Sequence, residues 1–290
     1  MKLSYISILL LLTSCNSKNH VESVDYYLEI NGNKIHYKIS GKGKELIMVH
    51  GGYLDLNMWN KQVGEFENGR KIIRFSDLGH GKTKSNNSPI LGFEIIERLT
   101  SATKENPSTL IGLSWGAMIC VDYTLNHPEN VDKLILVSPG LSGWKYFQDT
   151  IAAKNYELRQ IAMRINDIEE ASTLFHQNWV VGPRREKSDI NIEFYEWSLE
   201  SIKNNMKNHW GEDWSKLESI PAIERLNQIN VPTYIIIGSE DAEDIRLIAE
   251  EYKQNILNSK IIVLDDVAHL LNVENPKEFN KHLKSILDKE

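Results

Sequence analysis

Residues 108–118 read Ser-Thr-Leu-Ile-Gly-Leu-Ser-Trp-Gly-Ala-Met, and this stretch decides the fold. Its first half is apolar and rich in β-branched residues, which predicts a buried strand, and its second half opens a helix. Gly112, Ser114 and Gly116 stand between them in the pattern Gly-x-Ser-x-Gly. Such a tight turn from strand to helix leaves no room for side chains two residues either side of the serine. The pattern therefore predicts that Ser114 is a nucleophile exposed at the helix N-terminus.

Two later segments supply the partners that such a nucleophile needs. A serine hydroxyl attacks efficiently only when a histidine, oriented by a carboxylate, takes its proton. Residues 234–241 read as a buried strand that ends in a glycine turn and Asp241, and residues 261–269 read as a strand followed by a loop with His269. Serine, acid and histidine in this chain order accompany this kind of turn. We therefore expect Asp241 and His269 to complete a catalytic triad with Ser114.

The sequence leaves alternatives for the acid and the base. Glu240 and Asp244 could serve as the acid, and Asp241 could instead cap the helix that we predict over residues 242–257. Eight other histidines compete with His269, and those in glycine- or proline-marked turns are His50, His80 and His127.

The oxyanion of an acyl-transfer intermediate is usually stabilised by two backbone amides. The first is expected from Trp115, directly after the nucleophile. The second is expected from the glycine loop that follows an early strand, at Gly52, with Tyr53 as the alternative. His50, in the same loop, is interpreted as a structural residue rather than a catalytic one.

Strand and helix patterns alternate after residue 24. Two antiparallel strands joined by an Asn-Gly-Asn turn come first, and short, almost continuously apolar runs follow, as in a parallel sheet covered on both faces. The strands are predicted over residues 26–30, 34–39, 46–49, 72–75, 109–113, 134–137, 234–237 and 261–264. Helices are predicted over residues 90–103, 117–126 and 242–257, and from Pro276 to the C-terminus. The order predicts an α/β fold with a mostly parallel open sheet and helices on both faces.

The alternation breaks between residues 139 and 221, which are polar, helical in pattern and rich in tryptophan. We interpret this segment as a helical cap inserted into a core formed by residues 25–138 and 222–290, over the sheet edge where ligands bind. Its tryptophans could line the substrate site or simply pack the cap onto the sheet. They are Trp144, Trp179, Trp197, Trp210 and Trp214.

The N-terminal residues predict export and lipid attachment. Lys2 precedes an apolar run over residues 6–12 that is too short to span a bilayer as a helix but suits a secretory signal. The run ends in Leu-Thr-Ser-Cys15, which resembles a bacterial lipobox. Residues 1–14 are then a signal peptide, Cys15 carries the acyl chains, and residues 15–24 form a tether. This predicts a periplasmic, outer-membrane or cell-surface lipoprotein bound to the membrane through its lipid.

Composition excludes some partners and implies no cofactor. The formal net charge of −7 argues against a nucleic-acid partner, which favours a basic face. With Cys15 acylated, Cys120 has no disulfide partner and is interpreted as a small core residue. No metal-binding cluster or phosphate-cradling loop occurs, so neither a metal nor an organic cofactor is implied.

Together these motifs resemble the α/β-hydrolase fold superfamily, in its branch with a helical cap. The resemblance runs from about Tyr26 to the C-terminus and includes the elbow around Ser114. The second motif of that family commonly reads Asp-x-x-Gly-His-Gly, whereas Asp77 here stands one residue closer to Gly79. A serine rather than an aspartate at position 114 argues against the dehalogenase and epoxide-hydrolase branches. The resemblance implies acyl transfer on a small-molecule or short-peptide substrate.

Part of the sequence is similar to the proline iminopeptidases. The similarity lies in His50-Gly51-Gly52 and in Gly-x-Ser-Trp-Gly, although that group usually continues its His-Gly-Gly with Pro-Gly. The resemblance implies acidic cap residues that bind a free amino terminus. An acidic stripe on the cap could do so or could be an ordinary solvated face, and it comprises Glu193, Glu196 and Glu200. Three hypotheses follow: a carboxylic-ester hydrolase, an aminopeptidase, and a binding protein that retains the fold without activity.

Overall fold

The computed structural model describes residues 24–103 and 107–289. The predicted signal peptide and Cys15 lie outside this part of the chain. The strands are β1 Tyr26–Ile30, β2 Asn33–Ser40, β3 Lys44–Val49, β4 Arg70–Phe75, β5 Ser108–Leu113, β6 Val131–Val137, β7 Thr233–Gly238 and β8 Ser259–Leu264. The α-helices are α1 Asn60–Phe66, α2 Gly92–Thr103, α3 Trp115–Asn126, α4 Thr150–Arg164, α5 Ile168–His176, α6 Ile192–Asn208, α7 Glu243–Asn255, α8 Leu271–Glu274 and α9 Pro276–Leu287.

The strands form one sheet in the order β1-β2-β4-β3-β5-β6-β7-β8. Strand β2 pairs antiparallel with β1 and with β4, and every other pairing is parallel. Each predicted strand run lies within one of these strands. The sheet therefore confirms the predicted fold class.

Both faces of the sheet are buried, as the unbroken apolar runs predicted. In β3, Ile47 and Val49 pack into one core with helices α2, α3 and α7, whereas Leu46 and Met48 pack into a second core with α1 and α9. Residues that alternate along a strand face opposite sides of the sheet. Helices on both faces are thus required to cover a sheet of this composition.

Helices α4, α5 and α6 lie between β6 and β7, in the segment that the sequence predicted as a cap. Asn191 caps α6, because its side-chain oxygen accepts hydrogen bonds from the amides of Glu193 (2.9 Å) and Phe194 (3.1 Å). Helix α5 continues into a π-helical turn over Gln177–Val181. Such turns insert a residue into the helical register and are frequent at functional sites. None of the helices in the described part of the chain combines the length and apolarity needed to cross a membrane.

The candidate site residues lie just after the carboxyl ends of four parallel strands. β3 is followed by the glycine loop, β5 by Ser114, β7 by the turn with Asp241 and β8 by the loop with His269. Because these strands are parallel, their carboxyl ends meet at one edge of the sheet. Residues far apart in sequence can therefore contact one another there.

Candidate active site

Ser114 occupies the turn between β5 and α3, and its backbone conformation is one that residues other than glycine rarely adopt. Its φ is 54° and its ψ is −109°. A Cβ atom at Gly112 would lie 2.3 Å from the carbonyl oxygen of Gly116, and one at Gly116 would lie 2.5 Å from that of Val49. Only glycine fits at either position. The two glycines of the motif thus permit the sharp turn.

Several backbone hydrogen bonds hold this strained residue in place. The carbonyl oxygen of Ser114 accepts from the amides of Ala117 (3.1 Å), Met118 (3.3 Å) and Gly140 (3.2 Å). The amide of Ser114 donates to the carbonyl oxygen of Val137 over 3.0 Å. Strained backbone persists only where its surroundings over-determine it, which is the case here.

Asp241 and His269 form a buried pair beside this turn. The Nδ1 atom of His269 lies 2.8 Å from Oδ2 and 3.1 Å from Oδ1 of Asp241, and the side chains are 5% and 2% exposed. A carboxylate can only accept, so Nδ1 carries the proton and Nε2 is left as the acceptor. This is the tautomer that a general base needs toward a hydroxyl group.

Close contact between two loops brings this pair together. A Cβ at Gly238, the last residue of β7, would lie 2.1 Å from the carbonyl oxygen of Val267, so glycine is required there. The Glu240 amide donates to that same oxygen over 3.0 Å. The loop after β7 is thus tied to the loop after β8, and Asp241 reaches His269.

The alternative acids have other partners. The carboxylate of Glu240 accepts a hydrogen bond from the hydroxyl of Ser239. Asp244 is buried and accepts from the Trp144 indole (3.1 Å) and from the amide of Asp149 (3.1 Å), which ties the start of the cap to α7. Helix α7 begins at Glu243, two residues after Asp241. Of the three acids considered from the sequence, Asp241 is the one that contacts His269.

Ser114 and His269 line one cavity of about 170 Å³. No Asp, Glu, Lys or Arg side chain lines it within the described residues. Its wall is mainly apolar and aromatic, and includes Leu54, Met118, Tyr146, Phe175, Trp179, Val180, Ile202, Trp214, Ile245 and Leu270. The cavity therefore suits an uncharged apolar group beside the two polar residues.

No hydrogen bond joins the hydroxyl of Ser114 to His269 among the residues that the structure describes. Catalytic hydrogen bonds are often long in free enzymes and shorten in the substrate complex. The arrangement thus brings Asp241 into contact with His269, and brings His269 and Ser114 to the same cavity.

The two expected oxyanion donors also line the cavity. Gly52 lies in the loop after β3, and Trp115 is the first residue of α3. Neither of their amides donates to another protein group within the described ranges. The amide of Tyr53, the alternative donor, instead donates to Nε2 of His80 over 3.0 Å. The structure therefore leaves Gly52 and Trp115 available for an oxyanion.

His50 and His80 shape the glycine loop. Nδ1 of His50 donates to the carbonyl oxygen of Gly51 (2.8 Å), and its Nε2 accepts from the amide of Asp77 (2.9 Å). Nδ1 of His80 donates to the carbonyl oxygen of Leu78 (2.8 Å). Burial lowers the pKa of both imidazoles, so each remains neutral and bonded to backbone. This agrees with the structural interpretation of His50.

The acidic stripe does not reach the cavity. Glu193, Glu196 and Glu200 are all exposed on α6. None of them lines the cavity that holds Ser114. They therefore offer no site for an amino terminus next to Ser114.

Two of the five cap tryptophans line the cavity. Trp179 stands in the π-helical turn with its ring centroid 4.9 Å from that of His269, and Trp214 lies in the segment that leads back to the core. The indole of Trp144 donates to Asp244 and that of Trp210 to Asn166. Trp179 and Trp214 therefore line the cavity, whereas Trp144 and Trp210 contribute to packing outside it.

One buried acid, Asp77, has contacts at the site that no sequence pattern predicts. Asp77 is fully buried, and its Oδ2 accepts from the indole nitrogen of Trp115 (2.8 Å) and from the hydroxyl of Ser215 (2.8 Å). Burial raises the pKa of the Asp77 carboxyl. The motif around Gly79 marked the turn, but no pattern in the sequence connects Asp77 with Ser215, 138 residues away.

Comparison with known proteins shows which family model, sequences and folds this chain resembles. A family model of the alpha/beta hydrolase fold matches residues 45–276, which include Gly52, Ser114, Asp241 and His269. The chain is 24% identical to a 2-hydroxy-6-oxononadienedioate/2-hydroxy-6-oxononatrienedioate hydrolase of Pseudomonas putida, over 95% of this chain and 98% of that protein. It is 22% identical to a proline iminopeptidase of Lactobacillus helveticus, over 92% of this chain and 99% of that protein.

Solved structures show the same fold. An esterase from Exiguobacterium antarcticum superposes with a TM-score of 0.75 and 21% identity, over 92% of this chain and all of that one. An enol-lactonase from Burkholderia xenovorans superposes with a TM-score of 0.68 and 18% identity, over 91% of this chain and all of that one. The relatives share an architecture while their names describe different substrates.

Proposed function

The chain belongs to the α/β-hydrolase fold family, and from this premise we propose that it is a serine hydrolase that cleaves small, uncharged carboxylic esters. One observation carries the proposal. The imidazole of His269, hydrogen-bonded to Asp241, and the strained Ser114 line the same apolar cavity. The fold alone would not support an activity, because it serves many functions.

The proposed reaction is acyl transfer in two halves. Nε2 of His269 takes the hydroxyl proton as the oxygen of Ser114 attacks the ester carbonyl carbon, and Asp241 stabilises the imidazolium that forms. The amides of Gly52 and Trp115 donate to the oxyanion of the tetrahedral intermediate. His269 then protonates the alcohol oxygen as it leaves. Water, deprotonated by His269, then attacks the carbonyl carbon of the acyl-serine, and His269 returns that proton to the oxygen of Ser114 as the acyl–oxygen bond breaks and the carboxylic acid is released.

The cavity supports a small and uncharged substrate. A cavity of about 150 Å³ holds a benzene-sized molecule, so the 170 Å³ here accommodates an acyl group of a few carbons. The hydroxyl of Tyr146 already accepts from the amide of Leu141 over 2.8 Å, and the indole N–H of Trp115 is bonded to Asp77. A charged group in the cavity would thus lose its hydration without gaining a partner.

A substrate panel tests the proposal. We expect the purified protein to hydrolyse p-nitrophenyl acetate and butyrate with a kcat/KM at least about 100-fold above that for L-proline p-nitroanilide, because a charged amino group would lack a charge partner in this apolar cavity. A fluorophosphonate probe should label the protein. Preference for the proline anilide would support the aminopeptidase instead. Absence of both turnover and labelling would support a non-catalytic binding protein.

We also propose that Cys15 is lipidated and anchors the protein to a membrane. The support is the sequence pattern described above. Cys15→Ser should move the protein from the membrane pellet to the soluble fraction of the expressing cells, because the acyl chains supply most of the membrane affinity. Cys120→Ala is the matched control, since Cys120 is buried in the core and should leave the fractionation unchanged. Pelleting of Cys15→Ser at the level of the wild type would contradict the anchor.

A further inference from the structure

Trp214 lines the cavity beside the two residues whose amides are expected to bind the oxyanion. A Cβ atom at Gly52 would lie 2.7 Å from Cη2 of Trp214, so the ring lies directly on this glycine. Its centroid is 5.3 Å from that of Trp115 in an edge-to-face arrangement. It also lies 4.5 Å from the ring of His80 and 4.9 Å from that of Tyr53. One side chain thus contacts both residues that we assign as oxyanion donors.

One carboxylate oxygen of the buried Asp77 holds both Trp115 and the residue that follows Trp214. Oδ2 of Asp77 accepts from the indole of Trp115 and from the hydroxyl of Ser215, each over 2.8 Å. Ser215 directly follows Trp214 in the chain. The same oxygen atom therefore positions Trp115 directly and Trp214 through Ser215. A buried donor that loses its acceptor destabilises the folded state. Movement of Trp115 or of Ser215 away from Asp77 is therefore disfavoured, and Ser215 is bonded through the backbone to Trp214.

The backbone beside Trp214 is fixed as well. The amide of Lys216 donates to the carbonyl oxygen of Ile90 over 2.8 Å, and the amide of Gly92 donates to that of Lys216 over 2.9 Å. These bonds tie the end of the cap to the start of α2. The segment that carries Trp214 is thus held to the core through both its backbone and its Ser215 side chain.

The geometry of the proposed reaction determines which part of the substrate lies against Trp214. The leaving oxygen must come within reach of His269, whose ring packs on Trp179. The carbonyl oxygen points at the amides of Gly52 and Trp115. The acyl chain is bonded to the same carbon as the carbonyl oxygen, and Trp214 lines the cavity beside these two amides.

We propose that Trp214 determines the acyl-chain length that the site accepts, and that Asp77 is a positioning residue which holds Trp214 through Trp115 and Ser215. This inference rests on the proposed serine hydrolase activity. The indole of Trp214 would limit the length of the acyl chain, and the buried carboxylate of Asp77 would keep that indole in place. Trp179, by contrast, borders the alcohol part of the ester.

Trp214→Ala tests the first half of the proposal. With p-nitrophenyl acetate, butyrate, hexanoate and octanoate as substrates, the wild type should lose kcat/KM beyond butyrate. The variant should raise the octanoate-to-acetate ratio of kcat/KM by about 10-fold or more, because one or two methylenes in a pocket are worth that much. Trp210→Ala is the matched control, since its indole bonds to Asn166 outside the cavity. Trp214→Leu should give an intermediate ratio and serves if the alanine variant does not fold.

Asp77 is tested through the same ratio. Asp77→Ala should shift the ratio in the direction of Trp214→Ala, whereas Asp77→Asn, which keeps an oxygen acceptor in place, should retain the wild-type profile. In a Trp115→Phe/Ser215→Ala background, Asp77→Ala should add no further shift, because both donors are already absent. A merely structural role would lower activity on all four esters alike.

Two outcomes are distinguishable. If Trp214→Ala and Trp214→Leu both leave the ratio within about 2-fold of wild type while the fluorophosphonate still labels them, the acyl-length assignment is wrong and the hydrolase remains. If the wild-type protein itself neither turns over the esters nor reacts with the probe, the proposed function fails.

Discussion

Ser114→Ala should lower kcat for p-nitrophenyl butyrate by about 10⁵-fold or more, since nucleophile and base act as a unit and loss of either removes most of the rate enhancement. KM should change little, because the hydroxyl contributes to the transition state rather than to binding of the apolar acyl group. Stopped or continuous assays at saturating ester measure both constants. Labelling by the fluorophosphonate probe should disappear in parallel.

The variant should fold like the wild type. Alanine keeps the Cβ atom, and the backbone bonds that hold residue 114 at φ 54° do not involve the hydroxyl. Circular dichroism and the thermal midpoint should match those of the wild type within a few degrees. Ser201→Ala, on the cap helix α6, is the control for loss of a serine elsewhere and should retain activity and labelling. Retention of more than a few per cent of kcat by Ser114→Ala would exclude Ser114 as the nucleophile.

The strands and the sharp turn at Ser114 could be predicted because their physical causes are local. Strand β5 is buried along its whole length, so its apolar run has a single interpretation. The glycines at 112 and 116 face backbone atoms at 2.3 and 2.5 Å, and that steric demand leaves a direct trace in the sequence. Asp241 and His269 follow strand ends and could be found by the same reasoning.

Helix α1 was not predicted, because contacts with distant residues stabilise it. Its sequence, Asn-Lys-Gln-Val-Gly-Glu-Phe, contains a glycine and few apolar residues. Gln62 is nevertheless buried and donates to the backbone of Asn272 (3.0 Å) and to the side chain of Asn280 (2.8 Å). Tertiary packing thus overrides the weak local propensity.

The cavity wall could not be predicted for a related reason. The π-helical turn at Gln177–Val181 breaks the 3.6-residue period, so helical spacing could not place Trp179 on a face. Trp214 reaches Gly52 from a segment without regular structure, and its neighbour Ser215 meets Asp77 across 138 residues. Sequence patterns report periodicity within an element, whereas these contacts depend on how the cap meets the core.

Asp241→Asn should lower kcat for the same ester by about 10⁴-fold, because an amide cannot keep the proton of His269 on Nδ1 and cannot stabilise the imidazolium. Asparagine presents an N–H to Nδ1, which favours the tautomer with its proton on Nε2, and this tautomer cannot accept the proton of Ser114. Asparagine has nearly the shape of aspartate, so the variant should fold normally. The loss of kcat at neutral pH and slower fluorophosphonate labelling should therefore measure the effect on proton transfer alone. Glu240→Gln is the matched control, since Glu240 is adjacent in sequence and bonds to Ser239 rather than to His269. If Glu240→Gln lost activity while Asp241→Asn kept it, the acid of the triad would have to be reassigned, and the 2.8 Å contact between Asp241 and His269 would be structural only.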